Sequence, residues 1–173
     1  MIARRRHGRE TFPQMPKVKS KPAYAIRKSA THGRGAFATR TIRKGAKIIE
    51  YLGKRSSYDA ACEKPDSDPT DPYHTLLFEV SDGSVIDAGI RGSAAKWINH
   101  SCAPNCEPIE HDDFRVFIHA KRTIHAGEEL TYDYRLVYHG RLSKRARNGM
   151  ACRCGAQNCR GTMLDVRSAK PKR

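Results

Sequence analysis

Residues 99–106 read Asn99-His100-Ser101-Cys102-Ala103-Pro104-Asn105-Cys106, and they follow the apolar pair Trp97 and Ile98. Six of these eight side chains are polar or carry sulfur, and a proline turns the chain among them. An apolar approach leads such a cluster toward an interior, where polar groups need hydrogen bonds, a ligand or a metal. Taken alone, the stretch also fits an Asn/Ser-rich turn around a core histidine, so its flanks decide the reading.

Outward from this cluster the pattern is one of short strands. Residues 93–98 suit one or two helical turns, Phe114 to His119 alternates like a strand, and Leu130 to Tyr134 follows a turn at Thr123 to Gly127. That turn repeats the theme of Thr41 to Gly45. Upstream, Leu76 to Val80 and Ser84 to Asp87 flank Ser81-Asp82-Gly83 as a hairpin. Ala36-Phe37-Ala38 follows a Gly-x-Gly turn, and Lys47 to Leu52 ends at Gly53. A short helix near Ser57 to Lys64 gives way to a loop, Pro65 to Pro72, with three prolines and three acids. No repeat of 20–50 residues is present, which excludes a solenoid.

The carboxyl-terminal part holds Cys152-x-Cys154-x4-Cys159, three of the six cysteines. Six in 173 residues are too few for a disulfide scaffold, and metal fits their crowding better. Three thiolates leave a tetrahedral structural zinc site one ligand short, and Cys102 is the candidate for the fourth. The bland alternative is three reduced surface thiols. Cys62 and Cys106 fit no ligand pattern.

Gly33-Arg34-Gly35-Ala36-Phe37-Ala38, the Asn99–Cys106 stretch and Gly127-Glu128-Glu129-Leu130-Thr131-Tyr132-Asp133-Tyr134 occur in the order found in SET-domain protein lysine methyltransferases. Glu50-Tyr51-Leu52-Gly53 and Asp87-Ala88 also resemble that family's segments, so the likeness spans about residues 23–164. It implies a mainly β fold of short strands in small sheets, with a pseudoknot bringing the Asn99 cluster against the Tyr132 segment. It also implies a post-SET zinc segment, its ligands Cys152, Cys154, Cys159 and Cys102. The division expected is a basic arm at 1–22, the SET domain at 23–138, a linker with the zinc segment at 139–166, and a basic tail at 167–173.

The resemblance further implies that S-adenosylmethionine is held by His32, Gly33, Arg34 and Gly35 through backbone groups, and by Asn99 and His100. Lys96 and Trp97 stand where the family usually has Arg and Phe, and Met163 and Leu164 match apolar residues that close over the cofactor. Tyr134 corresponds to the catalytic hydroxyl, Tyr51 to a channel tyrosine, and Tyr132 to the position that favours monomethylation. Leu76 and Ser93 depart from the Tyr and Asn of many members.

Charge sets the remaining expectations. Residues 1–22 carry +6, residues 135–173 carry +10 and the body between carries −1, which sum to the net +15. Terminal basic arms attract nucleic acid by counterion release, or keep the chain in solution. No apolar run reaches the roughly 18 residues of a membrane span, and the start, MIARRRHGRE, lacks a secretory apolar core. The expected setting is intracellular, at the nucleus or a nucleoid, with delivery to a host cell compatible. The expected substrate is a lysine-bearing histone or other basic DNA-associated protein. The alternative is a catalytically weak SET-fold module that holds nucleic acid through its arms.

Overall fold

The computed structural model describes residues 21–63, 75–138 and 141–165. Nearly all of the amino-terminal arm, the proline loop with Asp66, Asp68 and Asp71, Tyr73, the Cys62 side chain and the basic tail lie outside the described residues.

Among the described residues the strands are β1 (Tyr24–Lys28), β2 (Arg34–Ala38), β3 (Lys47–Glu50), β4 (Lys54–Ser57), β5 (Leu77–Glu79), β6 (Ser84–Asp87), β7 (Asn99–His100), β8 (Cys106–Glu110), β9 (Val116–Ala120) and β10 (Thr131–Tyr132). Two short helices, α1 (Tyr58–Cys62) and α2 (Lys144–Gly149), and a 3-10 turn at Ala94–Trp97 complete the elements. The expected mainly β architecture of small sheets is therefore what the chain forms. The sheets run β1-β2, β3-β9-β8, β4-β6-β5 and β7-β10.

Period-two alternation explains β9. Val116, Ile118 and Ala120 are buried on one face, while Phe117 turns to the other beneath the Lys47 ammonium at 4.2 Å and the Arg115 guanidinium at 4.9 Å. Strand β6 is central in its sheet, and both Val85 and Ile86 are buried. Its hairpin to β5 closes with a Val80 N–H to Ser84 O bond of 2.9 Å, and the Asp82 carboxylate accepts from the Ser84 N–H at 2.9 Å.

Strands β4 and β8 are edges. That position lets Lys-Arg-Ser-Ser and a strand containing Pro108 pair at all, since an edge requires neither apolar faces nor every N–H.

The two similar turns grip each other. Ile42 and Ile124 exchange N–H to O bonds of 2.8 and 2.9 Å, Gly45 N–H reaches Ala120 O at 2.7 Å and Gly127 N–H reaches Ala38 O at 2.8 Å. The arrangement is nearly reciprocal, and both glycines take the positive φ that closes each turn, 78° and 92°. The two isoleucines go into the core with Ile98, Ile118, Leu130 and Val116. Each such burial contributes roughly 1.5–3 kcal/mol.

Strands β7 and β10 pair in parallel, Thr131 beside Asn99 and Tyr132 beside His100, and Ser101 N–H donates to Tyr132 O at 3.1 Å. Asn105 secures the junction, its amide donating to Glu129 O at 2.8 Å and its carbonyl accepting from Thr131 N–H at 2.9 Å. The quoted cluster thus lies against the Tyr-Asp-Tyr segment.

Candidate active site and cysteine cluster

The site grows from β7. Asn99 is buried, and its side-chain amide donates to His32 O at 3.2 Å, Arg34 O at 3.0 Å and Glu129 Oε1 at 2.7 Å. Two N–H groups serve three acceptors, so the turn before β2 is fastened to β7 and to the segment ahead of β10. His100, next along, accepts the Tyr134 N–H on Nδ1 at 3.1 Å. That bond leaves the ring proton on Nε2, which lies 3.5 Å from Cys102 Sγ. Burial lowers the His100 pKa, which keeps the ring neutral and the tautomer defined.

Cys102, Cys152, Cys154 and Cys159 converge with every sulfur within 4.8 Å of the others. Cys102 Sγ is 3.7 Å from that of Cys152 and 3.9 Å from that of Cys159. Tetrahedral zinc with bonds of about 2.3 Å places its sulfurs about 3.8 Å apart, so the donor set fits the metal. Backbone N–H groups point at the same sulfurs: Arg160 at Cys102 (3.3 Å), Cys102 at Cys154, Cys154 at Cys152 and Gly161 at Cys159 (3.4 Å each). Such donors favour thiolates. Burial raises the Cys102 and Cys152 thiols, yet the Cys102 and Ala156 N–H groups bring Cys154 below an ordinary thiol.

Two cavities meet at this framework. The first, about 320 Å³, is walled by Thr31, His32, Asn99, His100, Cys152, Cys154, Asn148, Arg153 and Met163, among others. The second, about 480 Å³, is walled by Tyr51, Leu76, Phe78, Val85, Lys96, Tyr132 and Met150, with Tyr58, Val137 and Tyr138 also on its wall. Thr75, Tyr134 and Leu136 belong to both. Tyr51, Tyr132 and Tyr134 form a phenol cluster in which the Tyr132 and Tyr134 rings are 4.8 Å apart. Burial pushes all three pKa values far upward, so these hydroxyls keep their protons. The Tyr51 hydroxyl donates to Leu76 O at 3.0 Å and the Tyr134 hydroxyl to Ile98 O at 2.9 Å.

His32, Asn99, His100 and Met163 share the first cavity, but Lys96 lines the second. Gly33, Arg34, Gly35, Trp97 and Leu164 are on neither wall. Arg34 lies over the Trp97 ring at 4.9 Å and Lys96 over it at 5.3 Å, and Leu164 pairs with Leu136. Ser93 caps the 3-10 turn and donates to Glu50 O at 2.6 Å, while Leu76 supplies the carbonyl for Tyr51. Cys106 is buried and its thiol is pushed up to about 12, burial being the main cause. Sequence reasoning passed over Glu129, Asn148 and Arg153. Only Glu129 had a local signal, as an acid placed just before an inward-facing Leu130.

A SET domain model matches residues 33–135. The chain is 38% identical over 141 residues to Histone-lysine N-methyltransferase trr of Drosophila melanogaster, covering 80% of this chain and 6% of that protein. It is 39% identical over 166 residues to Histone-lysine N-methyltransferase 2B of Homo sapiens, covering 92% of this chain and 6% of that protein. It is 36% identical over 171 residues to Histone H3-lysine(4) N-trimethyltransferase ATX1 of Arabidopsis thaliana, covering 96% of this chain and 15% of that protein. The chain therefore spans a small part of these relatives, and among the described residues no helix is long and apolar enough to cross a membrane. With the matched model covering the whole of β2 through β10 and the residues that join them, the chain belongs to the SET domain family.

Proposed function

We propose that the chain is a protein-lysine N-methyltransferase that adds one methyl group to a lysine of a histone or other basic DNA-associated protein. S-adenosylmethionine would occupy the first cavity and the lysine side chain the second. Zinc would be held by Cys102, Cys152, Cys154 and Cys159. The observation that carries the reading is Tyr134, which stands on the wall common to both cavities.

When bound, S-adenosylmethionine supplies a methyl group on a sulfonium sulfur, and the chain's task is alignment in a dry channel. His32, Asn99, His100 and Met163 are placed to line the cofactor. The aromatic second cavity desolvates an entering ammonium and lowers its pKa, which favours the neutral amine without a strong base. Tyr51 and Tyr134 each commit their hydroxyl proton to a backbone carbonyl. Their oxygen lone pairs are then presented to the amine, orienting it toward the first cavity. Tyr132 is buried beside Tyr134 and limits the room in which a methylated amine can turn.

The basic termini suit contact with nucleic acid beside the substrate, and this supports a setting at chromatin or a nucleoid. The names of the histone-methylating relatives support that setting. Incubation with labelled S-adenosylmethionine and a panel of histones and basic DNA-associated proteins, followed by mass spectrometry, tests the proposal. Label on a lysine is expected, and no transfer to any member of the panel counts against an enzyme.

A further inference from the structure

Gly35 has no cavity beside it. A Cβ built there would collide with Oε1 of Glu129 and lie 2.9 Å from its Cδ, with Phe37 Cε2 next at 3.1 Å. The space a side chain would take at residue 35 is therefore filled by a carboxylate from the far end of the domain. That carboxylate is used on both oxygens: Oε2 accepts the Ser29 hydroxyl at 3.0 Å and Oε1 accepts the Asn99 amide at 2.7 Å. The same amide reaches the carbonyls of His32 and Arg34. Glu129 is itself fixed at the backbone, pairing with Phe37 and accepting from Asn105.

We propose that Glu129 is a positioning residue for the cofactor site, and that Gly35 is glycine to admit its carboxylate rather than to admit the cofactor. Glu129 is on neither cavity wall. It acts through Asn99 and Ser29, which bracket the turn carrying His32 into the first cavity. This rests on the first cavity being the cofactor site.

Five variants of the full chain test it: Glu129→Ala, Glu129→Gln, Glu129→Asp, Gly35→Ala, and Gly35→Ala combined with Glu129→Asp. Calorimetry with S-adenosylhomocysteine should show Glu129→Ala binding roughly tenfold more weakly, the loss expected for a charged hydrogen bond. Glu129→Gln retains an acceptor for Asn99 and a partner for Ser29, and should stay within roughly threefold. A residue that only stabilised the fold would lower the melting temperature without changing affinity well below it.

Thermal melting without ligand tests the packing. Gly35→Ala should lower the melting temperature by roughly 2–4 °C, the shift expected of about 1 kcal/mol in a chain of 173 residues. In the Glu129→Asp background, where the carboxylate is drawn back by one methylene, at least half of that loss should disappear. An equal loss in both backgrounds, or unchanged affinity in Glu129→Ala, overturns the proposal. Failure of the unaltered chain to bind S-adenosylhomocysteine would instead sink the cofactor reading, and the melting comparison would still decide what Gly35 makes room for. Should Glu129→Ala fail to fold, Glu129→Asp takes its place in calorimetry, with weaker binding expected and unchanged binding overturning the role.

Discussion

Arg160 grips Asp133 through two parallel bonds of 2.8 Å, and its own backbone N–H donates to Cys102 Sγ at 3.3 Å. One residue thereby ties the Tyr-Asp-Tyr stretch to the cysteine cluster, beside the link His100 makes between Cys102 and Tyr134. Arg160→Ala should cost about 1 kcal/mol in urea unfolding, since the pair is partly open to solvent. Arg160→Lys should recover only part of that loss, because an ammonium lacks the planar fork. Equal stability of all three proteins would show the pair to be inert.

The cysteine cluster predicts one zinc per chain, measurable by elemental analysis of purified protein. Structural zinc is worth on the order of 10 kcal/mol in small zinc peptides. Removing it with a strong chelator should loosen residues after about 150 and depress methyl transfer. Hydrogen exchange over α2 and the Cys152–Cys159 segment reads the first effect directly. Metal-free protein with full activity and unchanged exchange contradicts the assignment.

Tyr134 lines both cavities, and replacing it with Phe removes only its hydroxyl. Tyr134→Phe should lower the rate of methyl transfer by roughly 10²-fold, the scale for losing one aligned polar group. Its stability should fall by about 1 kcal/mol, because the bond to Ile98 O is lost while the ring still packs on Tyr132 and His100. Single-turnover kinetics separate this from an effect on binding.

Tyr132→Phe should change the product rather than the rate. The unaltered protein is expected to yield mainly monomethyl-lysine, and removing an oxygen worth about 1 kcal/mol should raise the dimethylated and trimethylated share by several-fold. Ready accumulation of trimethyl-lysine by the unaltered chain in intact-peptide mass spectrometry would refute the role given to Tyr132.

Acid sensitivity should be concentrated at Glu128. The Arg122 guanidinium bonds to it at 2.6 and 3.1 Å and the His125 N–H at 2.6 Å, and together they hold its carboxyl down to about 2. Because the folded value lies below the unfolded one of about 4.3, the stabilisation is present above that pH and is lost as pH falls toward 2. Glu128→Gln should flatten the fall in stability across that window. A curve that keeps its slope assigns the acid limb to other carboxylates.

A short apolar run bounded by a turn made β6 legible to the residue, because Ser84-Val85-Ile86-Asp87 is apolar at its centre and follows Ser81-Asp82-Gly83. Strand β4 was missed for the opposite reason: Lys-Arg-Ser-Ser owes its extended form to backbone pairing with β6, which leaves no trace in side-chain polarity. Strand β8 was hidden by Pro108, and α2 by having only six residues and a strongly basic sequence. Strand β1 carries two basic residues in five and offers no clean alternation. The stretch at 99–106 announced a polar cluster in need of partners, and Asn99, His100 and Asn105 have them. Glu129 was marked only as an acid ahead of the inward-facing Leu130, and its partners stayed hidden because its place is defined by a side chain that Gly35 lacks.

The mutual grip of the turns at Ile42 and Ile124 sets a schedule for synthesis. Neither turn can satisfy its backbone until the chain has been made as far as Gly127, so Ala36, Ala38 and Ile42 wait with their core face bare. At about 5–20 residues per second the wait from one isoleucine to the other is roughly 4–16 s. A pause on the ribosome short of residue 124 would prolong that exposure. Slow codons placed ahead of Ile124 should therefore lower the yield of folded protein more than the same codons placed after Leu130.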